Sequence, residues 1–170
     1  MSLNKKSIVI TSAVRTAVGT FNGALKNMKA NKLGSVVIKE AIKKSKLELN
    51  EIDELIMGQV LTAGTGQNPA RQAAIQAGLP VEKTAHLINQ VCGSGLRAVV
   101  AGYQSILSND SNIVVAGGQE SMSNSPHAIN FRNNEKLKES NLIDTMIKDG
   151  LWDAFNGYHM GVTAENVAKK

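Results

Sequence analysis

An α/β fold is what the sequence predicts. Short β-branched runs alternate with longer stretches of helical periodicity through the first 120 residues, which is the signature of βαβ units. Several of the short runs are apolar on consecutive residues, as strands covered on both faces should be. With 170 residues, 42% apolar and 19% charged, and 15 glycines against 3 prolines, the chain has the composition of a globular domain able to bury a sizeable core.

The predicted strands are Ser7 to Thr11, Glu54 to Val60, Ala85 to Val91 and Asn112 to Gly117. Between the first two, Leu33, Val36, Val37 and Ala41 recur at helix spacing. The middle helix is punctuated: Asn68 reads as its N-cap, Pro69 as its first residue, and Gly78 stops it before Pro80. A third helix is expected where Leu96, Val99, Val100, Tyr103, Ile106 and Leu107 line one face. Each helix can lay that face on the sheet.

Beyond Gly118 the character changes. "QESMSNSPHAINFRNNEKLKES" is rich in Ser and Asn, holds Pro126, and reads as an irregular excursion. A short helix is expected from about Asn141 to Lys148, ended by Gly150. Trp152, Phe155, Tyr158 and Met160 then cluster in "GLWDAFNGYHMG", which could pack the segment down or line a pocket. Thr163 looks like an N-cap, yet the sequence stops at Lys170 after little more than a turn, so it is expected to continue in a parent protein.

Charge and cysteine usage narrow the function. The net charge of +5 is dispersed and aromatics are only 4%, so stacking platforms for nucleic-acid bases are scarce. No nucleic-acid partner is expected. No stretch approaches the ~20 apolar residues of a membrane span, and the three apolar residues Ile8 to Ile10 are too short for a signal-peptide core. One cysteine excludes an internal disulfide, and no paired Cys or His spacing suggests a metal. A cytoplasmic setting follows most simply. Gly64-Thr65-Gly66 hints at a dinucleotide-binding loop, but Pro69 holds the third glycine position and no acidic residue ends the next strand.

The single thiol, Cys92, lies in "INQVCGSGLRAVVAG" at the junction of the third strand and the following helix. Two readings stand. A lone cysteine is often a small buried hydrophobe. Alternatively, in the first turn of a helix at the carboxyl end of a sheet, free N–H groups and the helix dipole favour thiolate over thiol, at the end where α/β sheets bind ligands. Gly93 and Gly95 each weaken a first helical turn by about 0.5–1 kcal/mol relative to alanine, which favours the nucleophile. His86, six residues upstream on an extended strand, would be ~20 Å away. It cannot act as the base, and the distances of His127 and His159 are open.

These residues resemble the thiolase family. "NQVCGSGLRAV" is similar to its nucleophile signature, and the resemblance continues in "SAVRTAVGTFNGALK", "MGQVLTAGTGQNPARQAA", "VVAGGQESMSNSPH" and "DGLWDAFNGYHMGVTAENVA". It covers essentially the whole chain and is strongest toward the biosynthetic acetyl-CoA acetyltransferase branch. The resemblance implies a thiolase-like fold: an N-terminal βαβαβαβ mixed-sheet half over residues 1–120, and over 121–170 the start of the inserted loop region that binds coenzyme A.

It further implies that Cys92 takes the acyl group of an acyl-CoA as a thioester, expelling CoA, before a second acetyl-CoA attacks to give acetoacetyl-CoA; the reverse is thiolysis. Leu151, His159 and Met160 would border the acyl-CoA. No cofactor is implied beyond coenzyme A thioesters as substrates, and the family implies a homo-oligomer, dimer or tetramer. The family's activating histidine and second cysteine belong to a C-terminal half, and this sequence has one cysteine, so the chain alone is expected not to turn over. The alternatives are a non-catalytic half-protein, serving dimerisation or CoA binding, and a ketoacyl synthase.

Overall fold

A computed structural model describes residues 7–132 and 142–170. Three strands, β1 (Glu54–Gly58), β2 (Thr84–Ile88) and β3 (Val114–Gly118), form a parallel sheet in the order β2-β1-β3. Glu54 of β1 stands opposite Thr84 on one side and Val114 on the other, so all three strands reach their carboxyl ends together at Gly58, Ile88 and Gly118. A two-stranded antiparallel pair, β4 (His127–Ala128) with β5 (Ile143–Asp144), lies apart from it.

Helices α1 (Ala30–Ser45) and α2 (Pro69–Ala77) cover one sheet face. Their Ile38, Ile42, Ala70, Ala73, Ala74 and Ala77 meet Leu55 and Met57 of β1, with Ile52 and Leu79 closing the edges of the core. The alanines bring α2 close to α1 and the sheet. α2 begins and ends as its sequence predicts: Asn68 Oδ1 accepts the Arg71 N–H at 3.0 Å, Pro69 opens the helix and Gly78 closes it at φ 94°. Lys43 and Lys44 sit in the last turn of α1, where cations complement the dipole.

Helix α3 (Ser94–Leu107) covers the opposite face. Ala98 and Gly102 point inward, and Gly102 passes close to Val114 and Ala116. Its other flank is uncovered, with Leu96 72% exposed and Tyr103 and Leu107 more than half exposed. No helix among the described residues is long and apolar enough to cross a membrane.

The α/β class is as expected; the three described strands are all parallel where the resemblance implied a mixed sheet, and the strand expected at Ser7 to Thr11 is not among them. Ser7 to Thr11 pairs with no strand among the described residues, and Ile10 is 78% exposed. The end of this segment is instead fastened to the end of α1, where Thr11 meets Ser45 at 3.0 Å and the next residue, Ser12, donates its Oγ–H to the Ala41 carbonyl at 2.8 Å. A run of β-branched residues forms a strand only where a partner edge exists to satisfy its backbone.

The later elements also differ. A π-helical turn spans Met146–Leu151 where a helix from Asn141 to Lys148 was expected, and Asn141 lies outside the described residues. The last helix, α4 (Met160–Ala168), is capped by His159 rather than Thr163. His159 Nδ1 accepts the Gly161 N–H at 2.9 Å, so the helix starts a full turn earlier.

Candidate active site at the carboxyl end of the sheet

Cys92 is exposed, on the turn joining β2 to α3. It stands just ahead of α3, whose N-cap is Gly93, rather than within the first helical turn. No side chain caps this helix. The sulfur therefore stands at the carboxyl end of a parallel sheet, beside a helix start whose N–H groups lack intrahelical acceptors. The thiol is therefore not a buried core residue.

The turn is built by its neighbours. The Gly93 N–H donates to the Gln90 carbonyl at 3.1 Å and the Ser94 N–H to that of Val91 at 3.0 Å. Asn89 Oδ1 accepts the Val91 N–H at 3.0 Å, and the buried Ser94 hydroxyl accepts the Gln90 N–H at 2.9 Å. Directly beneath, the backbones of Gly58 and Ser94 almost touch. A Cβ at Gly58 would lie 2.4 Å from the Ser94 carbonyl carbon, so only glycine lets α3 settle this low on the strand ends.

Glu120 locks the floor of this end. Its carboxylate accepts the Val60 N–H at 2.8 Å and that of Leu61 at 3.3 Å. Burial pushes the Glu120 carboxyl above its ordinary range, against the pull of the N–H groups of Val60, Leu61 and Ser121. Val60 in turn accepts a long 3.4 Å bond from Asn89 Nδ2, so the floor connects to the cysteine turn.

Leu151, His159 and Met160 lie on the excursion. Leu151 ends the π-helical turn, whose Gly150 backbone passes close to the side chain of Leu61 and so near this end of the sheet. Residues 153–158 fold back on themselves, the Asp153 N–H meeting the Tyr158 carbonyl at 2.8 Å, and Trp152 bridges to His159. Because His159 Nδ1 is an acceptor, the ring proton sits on Nε2. No hydrogen bond joins any of these three residues to Cys92 among the described residues. Asn89, Ser94 and Glu120 were not singled out in the sequence, although the first two lie inside the quoted cysteine motif and the third directly follows β3 and Gln119.

A second polar cluster lies at the opposite, amino end of the sheet. His86 Nδ1 is 3.2 Å from Glu54 Oε1, and Ser105 Oγ donates to Glu54 Oε2 at 3.0 Å, beside an open groove of about 650 Å³. The carboxylate stands between hydroxyl and imidazole. A nucleophilic serine needs the imidazole beside its hydroxyl, so this cluster has the wrong order for that chemistry. The strand also keeps His86 away from Cys92, as its sequence position requires. His127 pairs with Asp144 at 4.0 Å instead. No group of three or more His, Cys, Asp or Glu able to hold a metal occurs among the described residues.

Residues 8–170 match the model of the thiolase N-terminal domain. The chain belongs to the thiolase family. It is 59% identical over 168 residues to an acetyl-CoA acetyltransferase of Rhizobium meliloti, covering 99% of this chain and 43% of that protein. With the acetyl-CoA acetyltransferase of Paracoccus denitrificans it shares 57% over 162 residues, 95% of this chain and 41% of the relative. A rat protein named cytosolic acetyl-CoA acetyltransferase is 51% identical over all 170 residues, 43% of its own length. This thiolase chain thus spans less than half the length of the curated relatives it matches. Matches this close under the acetyl-CoA acetyltransferase name favour a thiolase over the ketoacyl synthase alternative.

Proposed function

We propose that the protein is an acetyl-CoA C-acetyltransferase, condensing two acetyl-CoA molecules to acetoacetyl-CoA and CoA or running the reverse thiolysis, through an acyl thioester on Cys92. The observation that supports this is the placement of Cys92: an exposed thiol on a tight turn between a parallel strand and a helix. In the first half-reaction the Cys92 thiolate attacks the thioester carbonyl carbon. The carbon–sulfur bond to CoA breaks, CoA leaves as a thiolate and takes a proton from solvent. Backbone N–H groups at the start of α3 are suited to the negative charge that forms on the carbonyl oxygen.

Leu151, His159 and Met160 are assigned to the acyl-CoA side of the site, with the His159 Nε2–H as a donor to the thioester. Acetyl-CoA and other acyl-CoA thioesters are the proposed ligands, with no separate cofactor. Deprotonating the second acetyl-CoA calls for another base, and the chain holds no second thiol. These 170 residues are therefore assigned acyl capture rather than the full cycle. A homo-oligomer, dimer or tetramer, and a cytoplasmic setting go with this function; the rat relative's name supports the second.

A non-catalytic role in dimerisation or CoA binding has one observation in its favour, the uncovered apolar flank of α3. Incubation with acetyl-CoA labelled in the acetyl group separates the two. Label that survives denaturation and is released by neutral hydroxylamine supports the thioester. Binding of acetyl-CoA without such label supports the non-catalytic role.

A further inference from the structure

Val91, immediately before Cys92, holds φ at 47°. This left-handed region is costly for a β-branched residue and persists where the surroundings over-determine it. Burial does not account for it alone, because the residue is 50% exposed. Hydrogen bonds also hold it. Its N–H donates to Asn89 Oδ1 at 3.0 Å, and its carbonyl accepts both the Ser94 N–H at 3.0 Å and the Ser94 hydroxyl at 2.6 Å. The same hydroxyl accepts the Gln90 N–H at 2.9 Å, so one buried oxygen, on a residue only 4% exposed, ties the backbone on both sides of the strained position.

We propose that Ser94 is a positioning residue for the nucleophile: its hydroxyl clamps the Gln90–Val91 backbone in the left-handed conformation that aims Cys92 at its substrate. This rests on the reading of Cys92 as the acyl acceptor. No hydrogen bond joins the Ser94 hydroxyl to the Cys92 sulfur among the described residues; its partners are the Gln90 N–H and the Val91 carbonyl. Without it, the Gln90 N–H loses its acceptor and Val91 is released toward the conformations that a β-branched residue prefers. The sulfur then leaves the line of attack while remaining an exposed thiol.

The test compares two reagents on the full chain: acetyl-CoA, which needs an aligned sulfur, and iodoacetamide, which any exposed thiolate attacks. Ser94→Ala is expected to slow acetylation of Cys92 ~10-fold or more, with alkylation changed less than about twofold, since small misplacements of a reacting group have large kinetic effects. Adding Val91→Gly should bring acetylation back to within about threefold of the unsubstituted chain, because glycine takes positive φ without strain. A purely structural role for Ser94 gives no reason for that rescue.

Equal acetylation of Ser94→Ala and the unsubstituted chain would overturn the proposal, and so would equal slowing with both reagents. If Ser94→Ala does not fold, the Ser94→Ala, Val91→Gly double variant decides. Folding and acetylation support the clamp; failure of either overturns it. An unsubstituted chain that takes no acetyl group refutes the nucleophile reading itself, an outcome visible before any variant is measured.

Discussion

The Glu120 carboxylate accepts the Val60 N–H at 2.8 Å, tying the segment after β3 to the segment after β1 across the carboxyl end of the sheet. Desolvation raises the pKa of this acid. The folded chain therefore holds the Glu120 proton to a higher pH than the unfolded chain does. Between the ordinary glutamate value and the raised one, Glu120 makes stability fall as pH rises. Glu120→Gln removes the titration while keeping one amide oxygen for an N–H. Urea unfolding across about pH 4 to 7 should show a shallower decline for the variant over that window.

Asp53 has the opposite sign. It accepts the N–H groups of Asn112 at 2.7 Å and Ile113 at 3.1 Å, and these bonds hold its carboxyl below the usual range. Its contribution is present above the unfolded value and lost as pH falls through the folded one. Asp53→Asn is expected to destabilise the chain at neutral pH by less than about 1 kcal/mol, because solvent screens the carboxylate. That deficit should shrink in acid, as measured by denaturant midpoints at about pH 7 and pH 3.

Gly58→Ala drives a methyl group into the backbone where α3 begins, 2.4 Å from the Ser94 carbonyl carbon and 2.6 Å from the Gly95 nitrogen. Backbone has no rotamer to give way. A loss of about 1–3 kcal/mol is expected from overpacking, together with slower acetylation of Cys92. Thermal melting and the acetylation rate check the two effects on the same sample.

Leu96 and Leu107 on the open flank of α3 leave an apolar stripe in water. Exposed patches of this kind drive association. The chain is expected to sediment as self-associated species, and Leu96→Gln with Leu107→Gln should shift it toward the monomer.

The sequence was most readable where one residue type has one job. Asn68, Pro69 and Gly78 frame α2 through cap chemistry that is local in the chain, and the β1 run is apolar because both its faces are covered. Ser7 to Thr11 misled because pairing depends on an edge elsewhere, which no local pattern encodes. His159 is hard to read as a cap from sequence because an imidazole acceptor is a rarer solution than the hydroxyl of Thr163.

At the site, the position of Cys92 between strand and helix could be read from the glycines and the change of periodicity. The roles of Asn89 and Ser94 could not. Both act through backbone groups of Val91, and a positive φ at a β-branched residue is a property of the folded turn that runs against local preference. Glu120 was hidden for a related reason: its partners, Val60 and Leu61, lie about sixty residues away in the chain.

The proposed function stands on Cys92 accepting an acyl group from acetyl-CoA. Tandem mass spectrometry of proteolytic peptides after brief incubation with acetyl-CoA tests it most directly, beside a Cys92→Ala chain. The expected result is an acetyl group on the peptide containing Cys92, absent from the variant and removed when excess CoA is added. A folded chain that gains no acetyl group on Cys92, or gains one that CoA cannot remove, would contradict it.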